Sequence, residues 1–488
     1  MALASHQVRL VTALGGLSEW PKETVLKTVV AATSPRVRIP GPPHRRTAWR
    51  LPALLQPKPS TLLTAPSPRA HPADHRRTVD GVSTRPQATA VRTVRHSADE
   101  RPFIVIWECT QACALACRHC RASAVPDRDP AELSTDEATD LMRQVADFGK
   151  PPPIFVITGG DPFERPDLFE LVRRGRDLGL PVAVSPSGTA RLTREALAGL
   201  RDAGALAVSL SLDGATAEVH DEFRGIPGTY ERTITAWQQA RELGLKVQIN
   251  STVARHNVTE LPLLAATVAR LGAMTWSAFL LVPMGRGTDL GQLTAGEVED
   301  VLNFLFDLGS VVPTRTTEGH HFRRVSVQRA ILAQRAVNHR EAMRLGPLYD
   351  ELTAAWKPLA PAAAARSRRP PMNINSASGF VFVSHLGQVH PSGFLPESAG
   401  DVRKTPLAQV YRESPLFSGL RDATRLGGKC GACEYAQLCG GSRSRAFALT
   451  GDPYEADPLC AYEPGSFPFP VEGALDRSTG PSTVAGPA

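Results

Sequence analysis

The chain has 488 residues, enough for two or three domains with sizeable cores, and no run of eighteen consecutive apolar residues, which argues against a membrane-spanning helix. Its formal charge of +7 sits in the first hundred residues, which hold 15 Lys and Arg against 6 Asp and Glu; the other 388 hold 40 against 42. That near balance argues against a nucleic-acid module, and eight cysteines, seven of them in metal-type spacings, point to a reducing cytoplasm and away from a disulfide framework.

Residues 1–100 are rich in Pro and Arg with little hydrophobic periodicity, so a disordered extension is expected. They lack a charged segment followed by a long apolar core and cleavage site, so no signal peptide is read there. Within them, 15–42 reads like a translated serine tRNA gene, and Val37-Arg38-Ile39-Pro40 can be encoded by a T-loop run. The expectation is a translation start further on, at Val79, Val82, Val91 or Val94.

From residue 103 onward, apolar runs at 103–107, 154–158, 182–185, 206–212, 247–253 and 276–282 alternate with amphipathic stretches. Ser134 and Glu137 form a capping box, and Ala138, Leu141, Met142, Val145 and Phe148 then fall on one helical stripe. Stretches 191–203 and 258–271 have the same pattern. Strands alternating with helices of this length give βαβ units and a parallel sheet, with chemistry at the C-terminal ends of the strands.

The first of these runs leads into Trp107-Glu108-Cys109-Thr110-Gln111-Ala112-Cys113-Ala114-Leu115-Ala116-Cys117-Arg118-His119-Cys120. Cys113, Cys117 and Cys120 make a C-x3-C-x2-C pattern, and thiolates packed so densely select soft metals. A four-iron cluster normally takes four cysteines, so three leave one iron open to a small molecule. Zinc is the alternative, but zinc knuckles come as paired C-x2-C units, which the four-residue spacing of Cys109, Cys113 and Cys117 does not provide. Cys109 is read as a small buried residue.

This motif after a first strand resembles the signature of the radical S-adenosylmethionine (SAM) superfamily. The resemblance implies a (β/α)6 partial barrel and a [4Fe–4S] cluster on Cys113, Cys117 and Cys120. It also implies that the open iron is chelated by SAM and that reductive cleavage of SAM yields a 5′-deoxyadenosyl radical. His119 then stands beside the adenine. Thr158-Gly159-Gly160-Asp161-Pro162 occupies the place of the family's GGE motif, so Gly159, Gly160 and Asp161 are expected at the SAM ammonium group.

Three later strand ends add polar groups suited to the ribose or carboxylate of SAM. Ser187 lies in Ser185-Pro186-Ser187-Gly188-Thr189; alternation puts Ser209, Ser211 and Asp213 on one face, and Gln248 and Asn250 on another. In Leu281-Val282-Pro283-Met284-Gly285-Arg286-Gly287, family members place backbone against adenine, which nominates Pro283 and Met284; Arg286 is a candidate for a carboxylate. Arg224 is read at least as readily as a structural ion pair. His320, His321, Arg323 and Arg324 are read as a solvated helix start, with substrate carboxylates as the alternative.

Residues 358–371 read as a linker, and 379–383 with 387–390 as a hairpin. Cys430, Cys433, Cys439 and Cys460 follow, a C-x2-C-x5-C pattern plus a distant cysteine that resembles the SPASM/twitch auxiliary-cluster region. Arg443 stands where a further cysteine of that pattern would sit, and Pro391-Ser392-Gly393-Phe394 replaces another. The resemblance therefore implies one auxiliary [4Fe–4S] cluster without an open iron, with zinc as the alternative. The expected organisation is an extension to residue 100, a radical SAM core at 101–318 and a helical segment with linker at 319–371. A small cysteine-rich SPASM/twitch-type domain at 372–465 and a disordered tail at 466–488 complete it.

Arg101-Pro102-Phe103, Arg121-Ala122-Ser123-Ala124 and Phe223-Arg224-Gly225, together with the late cysteines, look most like the SAM-dependent heme synthase branch. That branch converts propionates of iron-coproporphyrin III to vinyl groups by oxidative decarboxylation. It implies a tetrapyrrole substrate and a flavodoxin- or ferredoxin-type reductant, the auxiliary cluster serving electron transfer. A SPASM-type maturase of a peptide or cofactor is the enzymatic alternative, and a zinc-binding scaffold the non-enzymatic one.

Overall fold

The computed structural model describes residues 91–92, 96–361 and 368–471; nearly all of the basic extension with its tRNA-like stretch, the middle of the linker, and the tail beyond 471 lie outside the described residues. β1 (Ile104–Glu108), β2 (Ile154–Thr158), β3 (Val182–Val184), β4 (Ala207–Ser211), β5 (Lys246–Val253) and β6 (Thr275–Leu280) coincide with the six apolar runs. The helices between them are α1 (Thr135–Ala146), α2 (Leu168–Asp177), α3 (Arg194–Ala203), α4 (Ala217–Arg224), α5 (Thr229–Glu242) and α6 (Leu261–Leu271). The capping box forms as read: the Ser134 hydroxyl accepts from Glu137 N at 3.2 Å, and Ser134 N donates to Glu137 Oε2 at 2.8 Å.

The sheet runs further than six strands. After α7 (Ala295–Leu308) comes β7 (Thr314–Thr317), parallel to β6, then α8 (His321–Gln334). The expected hairpin forms from β8 (Phe380–Val383) and β9 (Gln388–His390), and β8 also pairs parallel with β1, Ile104 opposite Phe380. With the short β10 (Gly400–Asp401) the order is β10-β9-β8-β1-β2-β3-β4-β5-β6-β7. The hairpin that leads to the late cysteines is thus continuous with the barrel sheet.

Period-two alternation separates the two faces of this sheet. Val105, Trp107, Phe155, Ile157, Val208, Leu210, Ile249 and Trp276 turn outward into the main core with the helices. The alternate residues Ile104, Ile106, Ile154, Val156, Ala183 and Ala207 form a second apolar cluster on the inner face. Toward the C-terminal strand ends the inner positions become polar. No helix among the described residues is long and apolar enough to cross a membrane.

Candidate active site

The cysteine loop after β1 is gripped from three sides. Gly160 N donates to Thr110 O at 2.8 Å and Asp161 N to Ala112 O at 2.7 Å, tying the loop to the turn after β2. A Cβ on Gly159 would stand 2.4 Å from Thr110 O, and one on Gly160 2.3 Å from Ala112 O. The glycine pair is required because two backbones meet there, a reason the ligand-based reading of the motif did not supply. On the second side, Arg118 N donates to Phe223 O at 2.9 Å at the end of α4. On the third, Arg286 N donates to Cys120 O at 3.0 Å, and the Arg286 side chain donates to the carbonyls of Cys117 at 2.9 Å and Ala124 at 3.2 Å.

Held this way, Cys113, Cys117 and Cys120 line one cavity of about 540 Å³ that occupies the inside of the barrel. Cys109 does not; it is fully buried in the helix-facing core, as its reading required. Leu115 N donates to Cys113 Sγ at 3.4 Å and Ala124 N to Cys120 Sγ at 3.4 Å, while Arg224 Nη1 lies 3.8 Å from Cys117 Sγ. Burial pushes the Cys113 and Cys117 thiols up from their ordinary range, and Arg224 works against this at Cys117. Three thiols and no fourth beside an open cavity fit a cluster with one iron left for a small ligand.

His119, Gly159, Gly160, Ser187, Ser209, Ser211, Asp213 and Asn250 all line the same cavity, so loops from β2 to β5 converge as expected. His119 stacks on Phe223 (4.2 Å between centroids, 10° between planes), which stacks on His256 at 5.3 Å. Burial lowers the His119 pKa to about 3, so its ring is neutral. Asp213 pairs with Arg224 in a nearly dry site and accepts from Thr252 N at 2.6 Å. Burial opposes its ionisation, but Arg224 outweighs that and holds the carboxyl below its ordinary value. Arg224 is therefore an ion-pair partner and a cavity wall at once.

Three expectations need correction. Asp161 does not line the cavity: its carboxylate accepts from Phe163 N at 3.2 Å, Ser187 N at 3.3 Å and Thr189 Oγ1 at 2.6 Å. The shorter acid caps its own turn and braces the next loop, which leaves the turn's cavity face to Gly159 and Gly160. Pro283 and Met284 are not in the wall either; Leu281, Val282 and Arg286 are, because Gly285, at φ +54°, turns the chain against the cysteine loop. Finally, His320, His321, Arg323 and Arg324 are not solvated. Arg324 pairs with Glu299, Arg323 donates to Cys439 O at 3.1 Å, and His321 Nε2 stands 3.1 Å from Asp457 Oδ2.

Cys430, Cys433, Cys439 and Cys460 surround a second, small cavity of about 20 Å³ together with His321, Arg324 and Tyr462. Tyr435 N donates to Cys433 Sγ at 3.4 Å, Asp457 N to Cys430 Sγ at 3.5 Å, and Arg443 Nη2 to the same sulfur at 3.6 Å. At Cys460, burial raises the thiol pKa but His321 and Arg324 outweigh it and bring it down. Four thiols with N–H donors and cations around them suit an anionic iron–sulfur cluster. Among the described residues no three His, Cys, Asp or Glu side chains meet closely enough to hold a single metal ion. Where further cysteines are missing, Ser392 and Ser444 both donate to Glu318 Oε1 at 3.1 Å, and Arg443 reaches the Pro453 and Glu455 carbonyls at 2.8 Å. The Cys439 carbonyl also accepts from Asn375 at 3.2 Å. Arg323 and Asn375 both line the large cavity, so the second site abuts its wall.

Barrel, three-thiol loop and polar strand ends together define an enzyme of the radical SAM class. The Radical SAM superfamily model matches residues 107–263, and the chain belongs to that superfamily. It is 37% identical over 366 residues to the AdoMet-dependent heme synthase of Methanosarcina barkeri (strain Fusaro / DSM 804), covering 75% of this chain and 97% of that protein. It is 31% identical to the mycofactocin maturase MftC of Mycobacterium tuberculosis (strain ATCC 25618 / H37Rv), covering 74% and 83%. In fold it is similar to Streptococcus suis SuiB bound to S-adenosylmethionine, with a TM-score of 0.54, 15% identity, and 74% and 78% of the two chains covered. SAM and a [4Fe–4S] cluster are the cofactors of this superfamily, and together they supply a 5′-deoxyadenosyl radical.

Proposed function

We propose that the chain oxidatively decarboxylates propionate side chains of an iron-coproporphyrin-type tetrapyrrole to vinyl groups. The observation that carries this reading is the 37% identity over 366 residues that cover 97% of a heme synthase. In this reading Cys113, Cys117 and Cys120 hold the SAM-binding cluster, and Cys430, Cys433, Cys439 and Cys460 hold the auxiliary one. The backbone at Gly159 and Gly160 and the side chains of Ser187, Ser209, Ser211 and Asn250 bind SAM. His119 presents its neutral ring beside the adenine, and Asp213 fixes Arg224 next to Cys117.

The inner apolar residues of β1 to β4 give the cavity a dry floor, which suits a macrocycle and keeps a carbon radical from water. Removing a hydrogen atom from a propionate and releasing carbon dioxide leaves one electron to be accepted. The four-thiol site, joined to the cavity wall through Arg323 and Asn375, is placed to hold the acceptor. A flavodoxin- or ferredoxin-type protein delivers the electron that cleaves SAM, and the thiol-rich chain works in the cytoplasm.

A peptide maturase is the second reading, favoured by the 31% identity to MftC. Incubating the reconstituted enzyme with SAM, dithionite and iron-coproporphyrin III separates the two. The tetrapyrrole reading expects vinyl-bearing product by mass spectrometry; a tetrapyrrole left unchanged while 5′-deoxyadenosine forms would overturn that reading and leave the maturase standing.

A further inference from the structure

The large cavity carries more positive charge than its own acids match. Seven arginines line it against two acids, Asp213 and Glu318. Both acids are engaged, Asp213 by Arg224 and Glu318 by the hydroxyls of Ser392, Ser442 and Ser444. Of the arginines, Arg121 is paired with Glu108 at 2.7 Å and Arg286 serves the carbonyls of the cysteine loop.

Arg315 is different. It stands on β7 opposite Ser277 of β6, and its guanidinium Nε donates to the neutral Ser277 hydroxyl at 3.3 Å. Among the described residues it forms no ion pair with a carboxylate. Burial, with Arg92 adding repulsion, pulls its pKa down to about 10. Arg92 in turn is repelled by Arg369, and both line the same cavity; the Arg92 guanidinium donates to Pro370 O at 2.8 Å. A half-buried guanidinium that faces an apolar-lined cavity and has no carboxylate partner among the described residues is a ready anchor for an anionic ligand.

SAM does not account for it. The groups suited to SAM come from the loops after β1 to β5. Arg286, whose Nη2 has no hydrogen-bond partner, already lies against the cysteine loop and is the cation available to a carboxylate there. Arg315 stands on the last strand of the barrel sheet, one strand beyond Ser277 and two beyond Asn250, and Phe279, Met372, Phe382 and Phe394 line the same cavity. The cavity thus offers apolar surface together with cations beyond the groups suited to SAM.

We propose that Arg315 anchors a substrate carboxylate inside the barrel, with Arg92 and Arg369 receiving a second one, so that the substrate is a polycarboxylate with a flat apolar body. The identity of that polycarboxylate as a propionate-bearing tetrapyrrole rests on the function proposed above. The carboxylate anchor itself does not.

The test uses the full chain with its clusters reconstituted, and compares wild type, Arg315→Met and Arg315→Lys at equal iron content. Binding of iron-coproporphyrin III and of its tetramethyl ester is read from the porphyrin absorption band, and thermal midpoints are read without substrate. Arg315→Met is expected to weaken the free acid by about 10- to 100-fold, the range for a charge-assisted hydrogen bond, with Arg315→Lys in between because it keeps the charge and loses the fork. The ester should bind wild type and Arg315→Met alike, and the substrate-free Met variant should melt no lower than wild type. Equal binding of the acid by wild type and Arg315→Met overturns the anchor, as does a midpoint several degrees lower in the Met variant, which would make Arg315 structural. If wild type binds neither porphyrin, the tetrapyrrole reading falls and mellitate, a flat polycarboxylate that is no porphyrin, decides the anchor: binding that is lost in Arg315→Met keeps it, and equal or absent binding overturns it.

Discussion

Asp213 and Arg224 connect residue chemistry to the site most tightly. Each is buried, each neutralises the other, and Arg224 also faces Cys117 Sγ at 3.8 Å. Removing one member of such a pair leaves the other charged in a dry place. Asp213→Asn is therefore expected to destabilise the chain by about 3–5 kcal/mol, measured as a shift in denaturant midpoint. A change under about 1 kcal/mol would mean that water reaches the pair. Neither residue's full role was legible in sequence: alternation put Asp213, just past β4, on the same face as Ser209 and Ser211, but nothing local shows that α4 carries Arg224 back onto it. Arg315 was invisible for a similar reason, being one cation in the polar run Thr314-Arg315-Thr316-Thr317, which lacks the apolar signal used to find strands. The basic start of α8 misled in the opposite direction. Four charged or polar side chains close together read as a wet surface, yet their partners Glu299, Cys439 and Asp457 lie 25 or more residues away in the chain.

At the scale of the element, the six apolar strands and the capped α1 were readable because periodicity and capping are local signals. The cysteine loop was readable by its spacing, but what holds it was not. The turn after β2 meets it backbone to backbone, and the loop after β6 closes on it through Gly285. A methyl group at residue 160 would stand 2.3 Å from Ala112 O, with only backbone to give way. Gly160→Ala should push the loop off the turn, cutting the iron retained after reconstitution and costing about 2–4 kcal/mol by comparison with other overpacked or strained sites. Wild-type iron content and stability in that variant would contradict the clamp. The Gly-to-Ala change removes no side-chain ligand, so the loss of iron would report the position of the cysteine loop.

Across the whole molecule, the late-cysteine region is not an appendage. β8 continues the parallel sheet at β1, and Glu108 at the end of β1 is bonded by both Arg121 at 2.7 Å and His385 at 3.2 Å. Arg323 on α8 spans from the barrel to Cys439. Sequence alone could not show this join, because a four-residue strand carries no mark of its neighbour. Shared pairing of this kind predicts one cooperative thermal transition for the cluster-loaded protein, followed together by circular dichroism and by loss of cluster absorbance. Two separated transitions would place the late cysteines in an independent domain.

The most direct test of the catalytic account is the amount of 5′-deoxyadenosine formed when the reconstituted protein is given SAM and dithionite. Wild type is expected to release it, slowly even without substrate, and Cys117→Ala to release none while keeping the iron of its four-cysteine site. Equal release from the two proteins, or none from wild type with full iron content, would contradict a radical centre on the loop after β1.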